Sequence, residues 1–212
     1  MRILAIESSA VTASVAILTD DVLTAEYTVN YKKTHSQTLL PMLDEISNMT
    51  ELDLSTIDAI AVAGGPGSFT GLRIGSATAK GLGLALEKPL ISIPTTAAIA
   101  YNIWDTNKFV CPIMDARRNQ VYTGVYCYTD HRLDTVWEQD TMSIEALAEG
   151  LNCLDHEVIF LGDGVAVYRE KLEALLTIPF SFAPAHVNRQ RAAAVGALAE
   201  VYYKEGKIQT AE

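Results

Sequence analysis

The chain has few cysteines and no long apolar run, and each shortage excludes a class of protein. Its three cysteines, Cys111, Cys127 and Cys153, are odd in number, far apart and without CxxC spacing. We therefore expect neither a zinc site nor a disulfide framework. No stretch reaches about 18 consecutive apolar residues, so the sequence predicts no membrane-spanning helix. A reducing cytoplasm is the expected compartment.

Basic residues are also scarce. The chain of 212 residues carries 16 Lys and Arg against 26 Asp and Glu, which gives a formal net charge of -10. Proteins that bind nucleic acid neutralise its phosphates with Lys and Arg. The sequence therefore predicts that this chain does not bind nucleic acid by itself. Work on nucleic acid through a basic partner stays open.

Hydrophobic patterns predict the same order of elements twice, namely three strands, a helix, a strand and a helix. In the first half the helices fall at His35–Met49, where Thr34 and Gln37 fit a capping box, and at Gly71–Leu86. One further strand and a helix at Thr95–Trp104 complete this half. Two such βββαβα units predict a duplicated α/β fold of the ribonuclease-H-like, actin-like type, with a cleft between the halves.

The polar stretch around residues 105–107 gives the predicted domain boundary. We expect an N-terminal subdomain at residues 1–105 and a smaller C-terminal subdomain at residues 106–212. The last predicted helix, at about residues 189–204, is expected to pack back on the first subdomain.

The most informative stretch is the glycine-rich turn at Gly64–Gly71 and the helix that follows it. Each glycine inside a helix costs about 1 kcal/mol relative to alanine, so something must approach this backbone closely. The turn is not a Walker A motif, because no GK[ST] follows, and Thr70 rules out GxGxxG. A backbone nest for a phosphate stays open as a minor alternative. Its contacts would come from Ser8, Ser9, Gly65, Gly67 and Ser68.

A stripe of small residues, which we call the inner stripe, runs along this helix at Gly71, Gly75, Ala79 and Gly83. Spacing by four puts these residues on one side, where another helix or the chain's own sheet can lie close. The helix at His35–Met49 has a broad apolar surface despite Pro41. The pattern predicts that both helices form an intermolecular surface, with packing on the chain's own sheet as the alternative. The predicted interface residues are His35, Leu39, Leu40, Leu43, Ile46, Leu72, Gly75, Ala79, Leu82, Gly83 and Leu86.

Two groups of polar residues lie where strands end, at positions that suit catalysis. Glu7 is a candidate base or metal-holding carboxylate, and a polar residue that ends a strand is the simpler interpretation. Asp115 with Arg117 and Arg118 is a candidate catalytic set, with a surface ion pair as the favoured alternative. His35 has Leu39 one turn later instead of a second histidine, which makes a metal site poor. We interpret His35 as a capping or interface residue.

Four segments resemble the TsaB (YeaZ) family over residues 3 to about 205. The resemblance implies an actin-like fold and a role in forming threonylcarbamoyladenosine in tRNA. The segments are ILAIESS at Ile3–Ser9, HSQTLLPML at His35–Leu43, AGGPGSFTGLRIG at Ala63–Gly75 and MDARRNQVYTGVY at Met114–Tyr126.

The resemblance implies a non-catalytic partner of the catalytic subunit TsaD, which carries a metal-binding histidine pair that Leu39 interrupts here. It also implies pairing with TsaD through the two helices, a homodimer through the same surface when alone, and docking of the ATPase TsaE on the pair. No intrinsic cofactor is implied, ATP or ADP is expected only at the complex interface, and tRNA is expected only through the complex.

The competing interpretation is an ATP-binding phosphotransferase or hydrolase that uses Glu7 and Asp115.

Overall fold

The computed structural model describes residues 1–31 and 34–211, which form two compact units. The first unit combines Met1–Ala98 with the described residues from Gln190 onward, and the second is Ile99–Arg189. The boundary thus falls earlier than the one drawn after residue 105, and the whole C-terminal segment belongs to the first unit. Among the helices in the described part of the chain, none has both the length and the apolar character of a membrane-spanning segment.

The first unit is built on a five-stranded mixed sheet. Its strand order is β3-β2-β1-β4-β5, in which β1 is antiparallel to β2 and parallel to β4. The strands are β1 (Arg2–Glu7), β2 (Thr12–Thr19), β3 (Val22–Asn30), β4 (Ala59–Gly65) and β5 (Leu90–Pro94). The first helices of the chain are α1 (His35–Met49), α2 (Phe69–Leu86) and α3 (Thr95–Ala100).

The second unit repeats this plan, with the strand order β10-β9-β6-β7-β8. Matched strand by strand in chain order, the two sheets have the same topology, which confirms the predicted duplicated α/β fold. The strands are β6 (Phe109–Arg117), β7 (Gln120–Thr129), β8 (Arg132–Ser143), β9 (Val158–Leu161) and β10 (Phe180–Phe182). The helices are α4 (Ile144–Leu154) and α5 (Val165–Leu175).

Helices cover both faces of the sheet in the first unit. Leu4 and Ile6 of β1 share an apolar core with buried residues of α1, such as Leu39. Ala5, which points to the opposite face, lies under the final helix α6 (Ala192–Lys204), where a Cβ added at Gly196 would be 3.2 Å from the Ala5 Cβ. Hence α1 and α2 lie on one face and α6 on the other.

Local details of some elements differ from the sequence predictions. The capping box is wrong, because the side chain of Thr34 makes no capping hydrogen bond and only its carbonyl accepts from Gln37 N, at 2.9 Å. Thr34 is exposed, so water can satisfy the free N–H groups of the first turn. The helix predicted to reach Trp104 ends at Ala100. The three-residue strand β10 and a 3-10 turn at Leu54–Thr56 were missed because both are too short to show a period.

A buried carboxyl on α6 makes the stability of the first unit depend on pH. Glu200 is 4 % exposed, and its burial, followed by its hydrogen bond with Asp21, raises its pKa. A raised folded-state pKa contributes stability at low pH, and this contribution is lost as the pH rises through that pKa. We expect Glu200→Gln to raise the melting temperature near pH 7 and to leave it unchanged at about pH 3, where the carboxyl is protonated in both states.

Thermal unfolding at both pH values tests this expectation. Glu149→Gln, which changes an exposed carboxylate of α4, is the matched control and should have little effect at either pH. A lower melting temperature for Glu200→Gln at neutral pH would show that the charged form of Glu200 stabilises the fold.

Candidate partner interface

The glycine-rich loop after β4 packs on the turn that joins β1 to β2. Ser68 N donates to Ser9 O at 2.6 Å, and Ser8 Oγ donates to Gly71 O at 2.9 Å. A Cβ added at Gly67 would lie within 3.0 Å of Ser9 O, and one at Gly71 within 3.0 Å of Ser8 O. The close neighbour that these two glycines admit is therefore the chain's own turn.

This packing contradicts the predicted phosphate contacts. Ser8 and Ser9 are completely buried, so their hydroxyls do not face solvent. Ser68 Oγ accepts from Gly71 N at 3.3 Å as the N-cap of α2, and Gly65 N donates to Thr95 Oγ1 at 3.1 Å. An anion nest needs N–H groups that are directed at open space, and here the N–H groups of Gly65 and Ser68 bond within the chain.

The inner stripe of α2 is also covered by the chain itself. Gly71, Gly75, Ala79 and Gly83 are the buried residues of this helix. A Cβ added at Gly75 would clash with Ser8 Oγ and lie 3.6 Å from Val62 Cγ2, whereas one at Gly83 would lie 2.9 Å from both Leu90 Cδ2 and Ala211 Cβ. The prediction that a foreign helix contacts this stripe is wrong, because the small residues let α2 lie close to its own sheet.

Most of the predicted interface residues on α1 are buried as well. Leu39, Leu43 and Ile46 belong to the core between α1 and the sheet, and Leu40 is the exposed member of the predicted set. The imidazole Nε2 of His35 is bonded to Ala10 O at 2.7 Å. His35 therefore ties the start of α1 to the β1–β2 turn. The predicted flanking residues of α2 are only partly buried; they are Leu72, Leu82 and Leu86.

The outward sides of α1 and α2 carry apolar residues that sequence reasoning mostly missed. Leu40 and Met49 of α1 are 54 % and 78 % exposed, and Phe69 and Leu84 of α2 are 68 % and 57 % exposed. The two helices contact each other, but Met49 faces the β3 side of α1 and Phe69 faces the β5 side of α2, so neither shares a surface with Leu40 and Leu84. We call the following set the outer face: Leu40, Ala77, Gly81, Leu84 and Ala85.

Gly81 is the glycine of α2 that the fold does not require. It lies inside the helix, and a Cβ added there would meet nothing within 4 Å. Ala77, Gly81 and Ala85 are spaced by four, so they form a second stripe of small residues, on the exposed side of the helix. The sequence held a signal for this stripe, since Gly81 does not fit the spacing of the inner stripe.

The candidate catalytic carboxylates are engaged in local structure. Glu7 is completely buried, and its Oε1 accepts from Ser9 N at 2.6 Å. Asp115 Oδ1 accepts from the backbone N of Arg117 at 2.9 Å and from Tyr168 Oη at 3.2 Å, and burial together with this carboxylate raises the pKa of Tyr168. Within the described residues Asp115 makes no ion pair with a guanidinium. The predicted surface ion pair is therefore wrong.

The duplicated sheet topology defines an actin-like ATPase fold. Similar solved structures include a ROK hexokinase from Thermus thermophilus, with a TM-score of 0.52, 11 % identity, and coverage of 97 % of this chain and 100 % of that one. The structure of YeaZ from Pseudomonas aeruginosa is more similar, with a TM-score of 0.85, 25 % identity, and coverage of 99 % of this chain and 95 % of that one.

Sequence comparison identifies the family to which the chain belongs within this fold class. The family model described as TsaD, tRNA N6-adenosine threonylcarbamoyltransferase, matches residues 23–211. The tRNA threonylcarbamoyladenosine biosynthesis protein TsaB of Bacillus subtilis is 35 % identical over 83 % of this chain and 77 % of its own length. The chain belongs to the TsaB (YeaZ) family, within the broader family that this model describes.

Proposed function

We propose that this chain is a non-catalytic subunit required for threonylcarbamoyl transfer to adenosine in tRNA, and that its outer face binds the catalytic subunit TsaD. The name of its relative, a tRNA threonylcarbamoyladenosine biosynthesis protein, supports the pathway. The match to the transferase family model supports a partner of similar fold. The observation that carries the proposal is the outer face, where Gly81 faces open space beside the exposed Leu84.

Burial of the outer face gives a physical reason for assembly. Large apolar side chains that are grouped on a surface mark interaction sites, and removing them from water drives association. A glycine in an exposed helix interior lowers the stability of the helix by up to about 1 kcal/mol relative to alanine. No contact within the described chain requires glycine at position 81. A partner helix would pack more closely on this side of α2, because the small residues Ala77, Gly81 and Ala85 let two helix backbones approach each other.

The geometry of the candidate chemical groups supports a non-catalytic role. Leu39, one turn after His35, is buried in the core and replaces the second histidine of a metal-binding pair. Glu7 has no contact with solvent, so it is badly placed to act on a substrate or to hold a metal there. These observations disfavour the competing proposal of an independent phosphotransferase or hydrolase.

The remaining parts of the proposal concern assembly. In the isolated chain the outer face binds a second copy, because the same apolar side chains would otherwise face water. TsaE docks on the heterodimer, and ATP or ADP binds at the complex interface without an intrinsic cofactor in this chain. The complex, which works in the cytoplasm, brings tRNA to the catalytic subunit.

Leu84→Glu is expected to weaken the pairing with TsaD roughly 30-fold or more, because it places a carboxylate in an apolar contact. The fold should keep its stability, since Leu84 is 57 % exposed. The measurements are the yield of co-purified TsaD and the rate of reconstituted tRNA modification. Both should fall together.

Val167→Glu is the matched control for this experiment. It makes the same kind of change at an exposed apolar residue of α5, in the second unit, where Val167 is 58 % exposed. It should leave co-purification and modification unchanged. Full co-purification of the Leu84→Glu variant would show that the outer face does not bind TsaD.

A further inference from the structure

The turn between β6 and β7 has an unusual backbone for its sequence. Arg117, Arg118 and Asn119 have φ values of 64°, 52° and 62°, so three successive residues without glycine are left-handed. Asn, Asp and His tolerate this region, and two other hairpin turns use such residues, at Asp20-Asp21 and Asp130-His131. Arginine has no such tolerance, so this turn is strained in a way that the other two turns avoid.

Hydrogen bonds hold the strained turn in place from both ends. Asp115 Oδ1 accepts from Arg117 N at 2.9 Å, and Asn119 Nδ2 donates to Glu145 Oε2 at 3.0 Å. Lys171 Nζ bonds to the same Glu145 carboxylate, at 3.1 Å from Oε1, and also to Asn119. These bonds therefore hold the backbone of the turn against the first turn of α4 and the middle of α5.

The two arginine side chains are exposed and without a partner in the described part of the chain. They make no ion pair, hydrogen bond or ring contact there, although the backbone that carries them is held firmly. Three other arginines are occupied. Arg73 and Arg169 stack on the rings of Phe69 and Phe182, and Arg191 pairs with Glu26.

We propose that Arg117 and Arg118 contact phosphate groups of the tRNA backbone in the assembled complex, an inference that rests on the proposed function. A guanidinium with free N–H groups binds a phosphate through two parallel hydrogen bonds. Strained residues persist where the surrounding structure holds them, and they cluster at functional sites. The net charge of -10 repels a polyanion from most of the surface, so the contact is local and works only together with a partner.

An acidic protein segment is the other ligand that two free guanidinium groups suit. We favour RNA because the proposed function brings a polyanion to the complex in every reaction cycle. The two ligands predict different results for the same variants, since an acidic protein segment would make the arginines necessary for assembly and not for tRNA affinity.

The test is the double variant Arg117→Gly/Arg118→Gly in the heterodimer with TsaD. Glycine adopts the left-handed backbone without strain, so the variant should fold with unchanged or higher melting temperature. Its affinity for tRNA should fall roughly tenfold at low salt, and the slope of log affinity against log salt concentration should shrink by about one to two. Co-purification with TsaD should not change.

Two further variants complete the test. Lys204→Gln/Lys207→Gln removes the same charge from the end of α6 and the following segment, and it should leave tRNA affinity nearly unchanged. Arg117→Lys/Arg118→Lys keeps the charge but not the paired hydrogen bonds, so it should retain the salt slope and lose part of the affinity.

An unchanged affinity and slope in the glycine variant would overturn the inference, and the proposed function would stand. Loss of co-purification in that variant would also overturn it, in favour of an acidic protein ligand. Failure of the wild-type chain to form the heterodimer would instead refute the proposed function, and this inference with it.

Discussion

Gly75→Leu is expected to lower the free energy of unfolding by at least about 3 kcal/mol, because overpacking at a fixed backbone contact is strongly destabilising. Any side chain at this position would clash with Ser8 Oγ, and its Cβ would also lie 3.6 Å from Val62 Cγ2. Ser8 has no free space to move into, since it is completely buried and bonded to Gly71 O. Urea unfolding followed by circular dichroism measures the effect.

Gly81→Leu is the control on the same helix. A Cβ at this position meets nothing within 4 Å, so the variant should fold normally and gain up to about 1 kcal/mol from the better helix propensity of leucine. Wild-type stability for Gly75→Leu would mean that α2 does not lie as close to its sheet as described. Equal destabilisation by both variants would mean that Gly81 is not on the exposed side.

Glu26→Ala should destabilise the first unit by about 2–3 kcal/mol, because Glu26 of β3 satisfies the start of α6. Its carboxylate accepts from Arg191 Nε at 3.1 Å and from Ala193 N at 3.0 Å, and it also pairs with Arg191 Nη2. The helix has no capping side chain at its own N-cap, and Ser14 Oγ of β2 accepts from Ala192 N at 2.9 Å. Removing Glu26 leaves a partly buried cation and a free N–H group.

Chemical denaturation of Glu26→Ala beside Glu45→Ala tests this expectation. Glu45 is an exposed carboxylate of α1, and its removal should change the free energy of unfolding by less than about 0.5 kcal/mol. Glu26→Gln should fall between the two, since an amide oxygen can still accept from Ala193 N. Equal effects of Glu26→Ala and Glu45→Ala would show that α6 does not depend on the strand side chains for its capping.

The fold was largely predictable because apolar residues recur with clear helix or strand spacing in most elements, and because the same order of elements occurs twice. The strands of each unit alternate or are continuously apolar, and glycine, proline and polar residues separate them from the helices. The order of three strands, helix, strand and helix then sufficed to identify the duplicated sheet. Elements as short as β10 show no hydrophobic period, and no local pattern marks Ala98 as the end of the first segment of unit one.

The candidate interface was predicted only in part, because one spacing suits two different neighbours. Residues Gly71, Gly75, Ala79 and Gly83 show that one side of α2 is bare. The spacing does not show whether a sheet or another helix lies against that side, and both demand small residues. Leu40, a residue of the predicted interface, is exposed and belongs to the outer face, whereas Leu84 was missed because it lies off the spacing of the inner stripe.

Accessibility of a cysteine on the outer face tests the central claim most directly. Ala77→Cys places a thiol beside Gly81, in a chain where Cys127→Ser and Cys153→Ser have removed the two native thiols that are not fully buried. Cys111 is completely buried, and burial raises its pKa to about 12, so it should not react. Val167→Cys on α5 is the control. The reaction of each variant with a maleimide is followed with and without TsaD, at a chain concentration low enough to dissociate the proposed homodimer.

We predict that TsaD slows labelling of Ala77→Cys at least roughly tenfold and leaves labelling of Val167→Cys unchanged, because the partner covers the outer face. Equal labelling of Ala77→Cys in the free chain and in the purified heterodimer would contradict the account.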